Sequence, residues 1–239
     1  MKSNLKARRN LITVGLKSAW MILIIIVYTA TYAVAGIFNP NLSEKSDGQV
    51  GATNLTNPIF VNFGVDNTEA GWNNLTHIMH PAPHPRGTIS NLIDKEGNKT
   101  GISLVYVTAF NKVRYINGAT GTNIKGFEMP NAVSGQGFYS YGQEAVFRLE
   151  GLTNGQKYDL AFFASIEAKG NRETKYTVKG SNEVVALLNP SNNSSETVSA
   201  NGVKPDANGH ITITITKGEN NNNLNDFYCI NALRLSQSK

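Results

Sequence analysis

The sequence predicts an all-β fold, an antiparallel β-sandwich, on three observations. Residues 144–180 read as three consecutive strands with a two-residue period. Ala145, Phe147 and Leu149 oppose Glu144, Arg148 and Glu150. After the turn Thr153-Asn154-Gly155, one face carries Tyr158, Leu160, Phe162, Ala164 and Ile166. Tyr176 and Val178 then oppose Lys175, Thr177 and Lys179. Strand side chains alternate between faces, so this pattern sets one face on a core and the other in water. Second, residues His210 to Thr216 alternate without a break. Third, no useful helical period follows the N-terminal segment. About nine or ten short strands between Gly- and Asn-containing turns predict the jelly-roll form of sandwich.

Taken in order, residues 1–35 stand outside this fold. Lys2, Lys6, Arg8 and Arg9 precede an apolar run from Ala19 through Val27, which ends in Ala33-Val34-Ala35. A basic start, an apolar stretch and an A-x-A site are the marks of a signal peptide, cut here after Ala35. The alternative is an uncleaved anchor, since Ala19 to Phe38 matches the ~20 residues that span a bilayer. The positive charges keep the N-terminus inside in both cases, so the remainder is expected to be exported, with membrane contact only through this segment if it is uncleaved. Residues 36–56 are polar and turn-rich and read as a linker. The sandwich is expected over 57–237.

Its first strand is Ile59–Phe63, followed by a loop with Gly71-Trp72-Asn73-Asn74-Leu75. Strands at Thr88–Asp94 and Ile102–Thr108 are joined by the turn Glu96-Gly97-Asn98. The region from Phe110 to Gln143 breaks the pattern and carries Tyr115, Phe127, Phe138, Tyr139 and Tyr141. Long irregular segments in compact domains are often functional; the alternative is that these aromatics plug one end of the core. Beyond the three central strands come Val184–Leu188, Thr197–Ala200, Ile211–Thr216 and Phe227–Leu235, with Asn220–Asn223 as a low-complexity loop tip.

The formal net charge of +5 falls to zero once the five basic residues of 1–35 are set aside. That removes the electrostatic case for a nucleic-acid partner. The single cysteine, Cys229, lies in FYCINALRL, which is apolar on both faces. Cysteine outside a disulfide is among the most buried residue types, so a small, inert core residue is expected.

The motifs FVNFG (60–64), GWNNLT (71–76), TISNLIDKEGNKTGISL (88–104), FRLEGLTNGQKYDLAFFAS (147–165), NRETKYTVKG (171–180), KPDANGHITITI (204–215) and NALRL (231–235) line up in a familiar order. Together they resemble the galactose-binding-like β-sandwich modules of secreted bacterial proteins. The resemblance covers nearly all of the exported part. It implies a module that binds carbohydrate or a cell-surface glycan, of the kind appended to polysaccharide-degrading enzymes.

Under that resemblance the ligand candidates are Trp72, Asn73, Asn74, Tyr139, Tyr141 and Arg172. Indole and phenol rings stack on the apolar C–H faces of sugars, and Asn amides both donate to and accept from hydroxyls. Arg172 offers a fork for a carboxylate or hydroxyl. For Trp72 the alternative is a residue that caps the core, with its asparagines making local turns. His77, His80 and His84 fall among Pro81, Pro83 and Pro85, a stiff spacing unlike that of zinc sites, and no metal is expected there. Asp66, Asn67, Glu69 and Asp226 supply oxygens suited to a structural calcium, although EF-hand spacing is absent. Otherwise no cofactor is expected.

No nucleophile elbow, zincin helix or phosphate loop occurs, and no carboxylate pair suggests a glycosidase cleft. A non-catalytic glycan-binding module is therefore the expected function. The alternatives are a structural or protein-interaction domain held at the envelope by an uncleaved helix, and a hydrolase.

Overall fold

The computed structural model describes residues 54–64, 69–75, 88–110, 112–115, 117–120, 124 and 126–239. The signal segment, most of the linker, the three histidines, Asp66 and Asn67 lie outside the described residues. Among the described residues no helix is long and apolar enough to cross a membrane.

The fold is an antiparallel β-sandwich. One sheet has the order β10-β7-β13-β1-β2 and the other β3-β6-β11-β8-β9; β12-β5-β4 form a third, smaller sheet. The first sheet comprises β1 (Ile59–Phe63), β2 (Trp72–Leu75), β7 (Tyr158–Phe163), β10 (Val198–Val203) and β13 (Ala232–Gln237). The second comprises β3 (Ser103–Thr108), β6 (Ala145–Glu150), β8 (Thr174–Lys179), β9 (Glu183–Leu188) and β11 (Ile211–Lys217). The third holds β4 (Lys112–Tyr115), β5 (Gly137–Ser140) and β12 (Tyr228–Ile230), and a single helical turn, α1 (Asn131–Ser134), precedes β5.

The second sheet behaves as its alternation requires. Ile211, Ile213 and Ile215 of β11 are buried, and Thr212, Thr214 and Thr216 are half-exposed. Phe147 on β6 and Tyr176 on β8 enter the same core, where Tyr176 stacks on Phe162 of the opposite sheet at 4.3 Å. Non-polar area removed from water at ~25 cal/mol per Å² drives this closure.

The first sheet is covered on both faces across β1, β7 and β13, while its edge strand β10 exposes Ser199 and Asn201. Ile59, Val61 and Phe63 of β1 face the sandwich core, while Phe60 turns outward into a separate cluster with Trp72, Phe127, Val133 and Phe163. Segment 124–134 supplies Ile124, Phe127, Met129 and Val133 to this cover. The long aromatic region therefore divides between structure and surface: Phe127 roofs one sheet, and Phe138 enters the core.

Three expected elements differ. Thr88–Asp94, read as a strand, makes only isolated bridges, Ile89 with Leu104 and Ile93 with Lys99. Trp72–Leu75, read as a loop, is a strand that pairs in parallel with β1. Phe227–Leu235, read as one strand, breaks at Asn231 into β12 and β13. Asn231 is fully buried; its Oδ1 accepts the Ser165 N–H at 2.8 Å and its Nδ2 donates to the Ser134 carbonyl at 2.8 Å. Buried polar groups must be paired, so this side chain fixes the point where the chain passes from the third sheet to the first.

Candidate functional site

Alternation along β5 sorts its side chains. Phe138 and Ser140 are fully buried, while Tyr139 is half-buried and the following Tyr141 is 37% exposed. Both tyrosines meet Phe227, edge to face, with ring centroids at 5.3 Å in each pair. Arg172, just before β8, places its guanidinium over the same Phe227 ring at 5.3 Å. Two neighbouring tyrosines and an arginine remote from them in sequence, all singled out from the sequence as ligand candidates, thus converge on a fourth residue that was not. The sequence reads Phe227 as the start of a strand; the signal available was its place at the end of the loop that the asparagine run opens.

The asparagine run is an ordered support for Phe227. Glu173 is buried, and its carboxylate accepts the Asn220 N–H and Nδ2, each at 3.0 Å. Asn221 Nδ2 donates to the carbonyls of Glu173 and Phe227 at 3.1 and 2.8 Å. Asn222 Oδ1 accepts the Asn171 N–H at 2.7 Å. Gly218 packs so closely that a Cβ there would lie 2.3 Å from Glu173 Oε1. Lys217 closes the loop on Asp226 at 2.8 Å. Leu224, at the apex, is completely exposed.

The Trp72-Asn73-Asn74 group is placed elsewhere. Trp72 is 6% exposed, and Phe60 stacks on its ring at 4.9 Å. Asn73 is also 6% exposed; its Nδ2 donates to the Phe60 and Ile93 carbonyls and its Oδ1 accepts the Ile93 N–H. It acts as an extra backbone amide at the sheet edge. Asn74 accepts from Asn62 Nδ2 at 2.9 Å. The ring face and amide atoms expected to meet a sugar are occupied by the protein, so Trp72 and Asn73 take the core-capping alternative and leave the candidate surface.

Among the described residues, Asp94 and Asp206 titrate below the usual carboxylate range. For Asp94, burial pushes upward but is outweighed by hydrogen bonds from Asn98, Asn57 and Glu96. For Asp206, the His210 amide leads the causes. A general acid needs the opposite shift. Among the described residues no group of three His, Cys, Asp or Glu side chains could hold a metal ion.

No family model matches the chain, and no curated protein matches it. Solved structures do. The CBM35 module of Abf62 from Cellvibrio japonicus aligns over 58% of this chain and 94% of its own at 14% identity, with a TM-score of 0.32. TmCBM61, solved with β-1,4-galactotriose, aligns over 44% of this chain and 72% of its own at 19% identity, with a TM-score of 0.30. The CBM22-1–GH10 modules of xylanase Xyn10B from Clostridium thermocellum, complexed with xylohexaose, align over 56% of this chain and 28% of their own at 15% identity, with a TM-score of 0.32. Each is or contains a carbohydrate-binding module.

Proposed function

We propose that this protein is an exported, non-catalytic module that binds carbohydrate or a cell-surface glycan through Tyr139, Tyr141, Phe227 and Arg172. The observation that carries the reading is the convergence of three aromatic rings and a guanidinium on one ordered loop, with Tyr141 accessible at its rim. Aromatic faces meet sugar C–H groups, and an arginine beside them donates to ring substituents. The basic and apolar N-terminal segment with its A-x-A site supports export.

A glycan array probed with the purified protein tests the reading. Tyr141→Ala should weaken binding about thirtyfold, the ~2 kcal/mol typical of an aromatic anchor, with an unchanged melting temperature. Unaltered binding by a folded Tyr141→Ala protein would place the site elsewhere. One observation favours a second reading, a protein-interaction domain. The outer face of the second sheet carries Val185 and Leu187, each 45% exposed, beside Lys175, Thr177 and Lys179. Failure to bind any glycan, with capture of a protein partner lost on Leu187→Lys, would favour it.

A further inference from the structure

Arg172 is under-used by the fold. Its backbone N–H donates to Asn189 Oδ1 at 3.1 Å, and its guanidinium rests on Phe227. Its Nε is buried and has no hydrogen-bond partner among the described residues. No ion pair engages the side chain there, and its terminal nitrogens are not among the buried unpaired atoms. The acidic groups next to it in the chain and next to Phe227 are already engaged: Glu173 by Asn220, Asp226 by Lys217.

An arginine keeps its charge at all relevant pH values and presents five donors in a rigid fork. Contact with an aromatic face offsets part of the cost of half-burying that charge, but satisfies none of the donors. A neutral hydroxyl would fill one donor and leave the charge uncompensated. A planar or tripodal anion fills two and neutralises it. The adjoining tyrosine rims suit the sugar ring that would carry such an anion.

We infer that the ligand at this site is an acidic saccharide, its carboxylate or sulfate held by Arg172 and its ring set against Tyr141 and Tyr139. The inference rests on the glycan-binding reading and specifies its ligand class. Titration calorimetry of the purified protein with polygalacturonate, a sulfated galactan, neutral galactan and neutral xylan tests it. At least one acidic polymer should bind about tenfold tighter than either neutral one, and that advantage should shrink as salt rises. Arg172→Gln should cost about ten- to a hundredfold in affinity for the acidic polymer and weaken neutral binding much less, so that the preference for the acidic polymer disappears. Preference between polygalacturonate and the sulfated galactan tells carboxylate from sulfate. Equal affinity for acidic and neutral polymers would overturn the inference and leave the glycan reading standing. Binding to none of the four would overturn both. If Arg172→Gln fails to fold, the ranking of the four polymers by the wild-type protein, with its salt dependence, still decides.

Discussion

Asp94 receives the amides of Glu96 and Asn98 on Oδ1, both at 2.9 Å, and the Asn57 side chain on Oδ2 at 3.1 Å. One carboxylate thereby holds the turn at Gly97 and ties it to the residues that lead into β1. The sequence reads Asp94 as a strand end beside the turn Glu96-Gly97-Asn98; the turn is there, and Asp94 is only 5% exposed because its bonds draw it inward. Its folded pKa lies below the ordinary value, so its contribution is present above about pH 4 and is lost as pH falls through the lowered value. Asp94→Ala should cost ~2 kcal/mol at neutral pH, the scale of hydrogen bonds to a charged group. The gap to wild type should begin to narrow below about pH 4 and close as pH falls through the lowered value, where the folded carboxyl protonates as well. Denaturant midpoints across pH check this; a gap that stays constant into acid would show that the ionised form is not what matters.

At the scale of elements, legibility followed water. β6, β8 and β11 were visible because one face of each alternates with residues of the opposite polarity; β7, covered on both faces, was visible by its apolar run after a turn. β2 was not: Trp72 is buried outward, Leu75 inward, and Asn73 and Asn74 spend their amides on β1 and on Ile93. β5 hid inside an aromatic stretch whose alternate residues face a core and a candidate surface. The split at Asn231 was invisible because it is enforced by partners at Ser134 and Ser165, remote in sequence. The candidate site was partly legible: Tyr139 and Tyr141 stood out by lying in a segment that departs from strand alternation and Arg172 as a fork at the sandwich edge, whereas Trp72 stood out equally and is packed against Phe60. Trp72→Ala should therefore cost about 3–5 kcal/mol in stability, as for other buried large-to-small changes. Thermal unfolding measures it. A variant that melts like wild type would mean the roof over the first sheet does not depend on this ring.

For the whole molecule, Cys229 reports on integrity. It is 2% exposed, and its carbonyl accepts the Tyr176 hydroxyl at 2.9 Å across the core. A thiol reagent reaches it only when the third sheet separates from β8. Labelling should then run at the rate of major opening and accelerate sharply in denaturant. Rapid labelling under native conditions would reveal a local route into the core and a looser third sheet. Sandwiches dominated by long-range pairings fold slowly, so that opening should also be slow to reverse after dilution from denaturant.

The pairing of β1 has a mechanical side. Ile59 lies opposite Leu235, and the Leu55 N–H reaches Gln237 at 3.0 Å, so both ends of the fold emerge at one pole. Phe63 at the other end of β1 meets Asn231, beyond which the chain leads back to β12 and its partner Tyr139. Chain that enters at residue 54 is thus attached at the heel, and the aromatic cluster sits toward the toe. A pull between the two acts along β1, which is held by β13 on one side and β2 on the other. Such a load is shared by the hydrogen bonds of both pairings at once instead of peeling them in turn. The strand that begins the fold is placed to serve as its tension member.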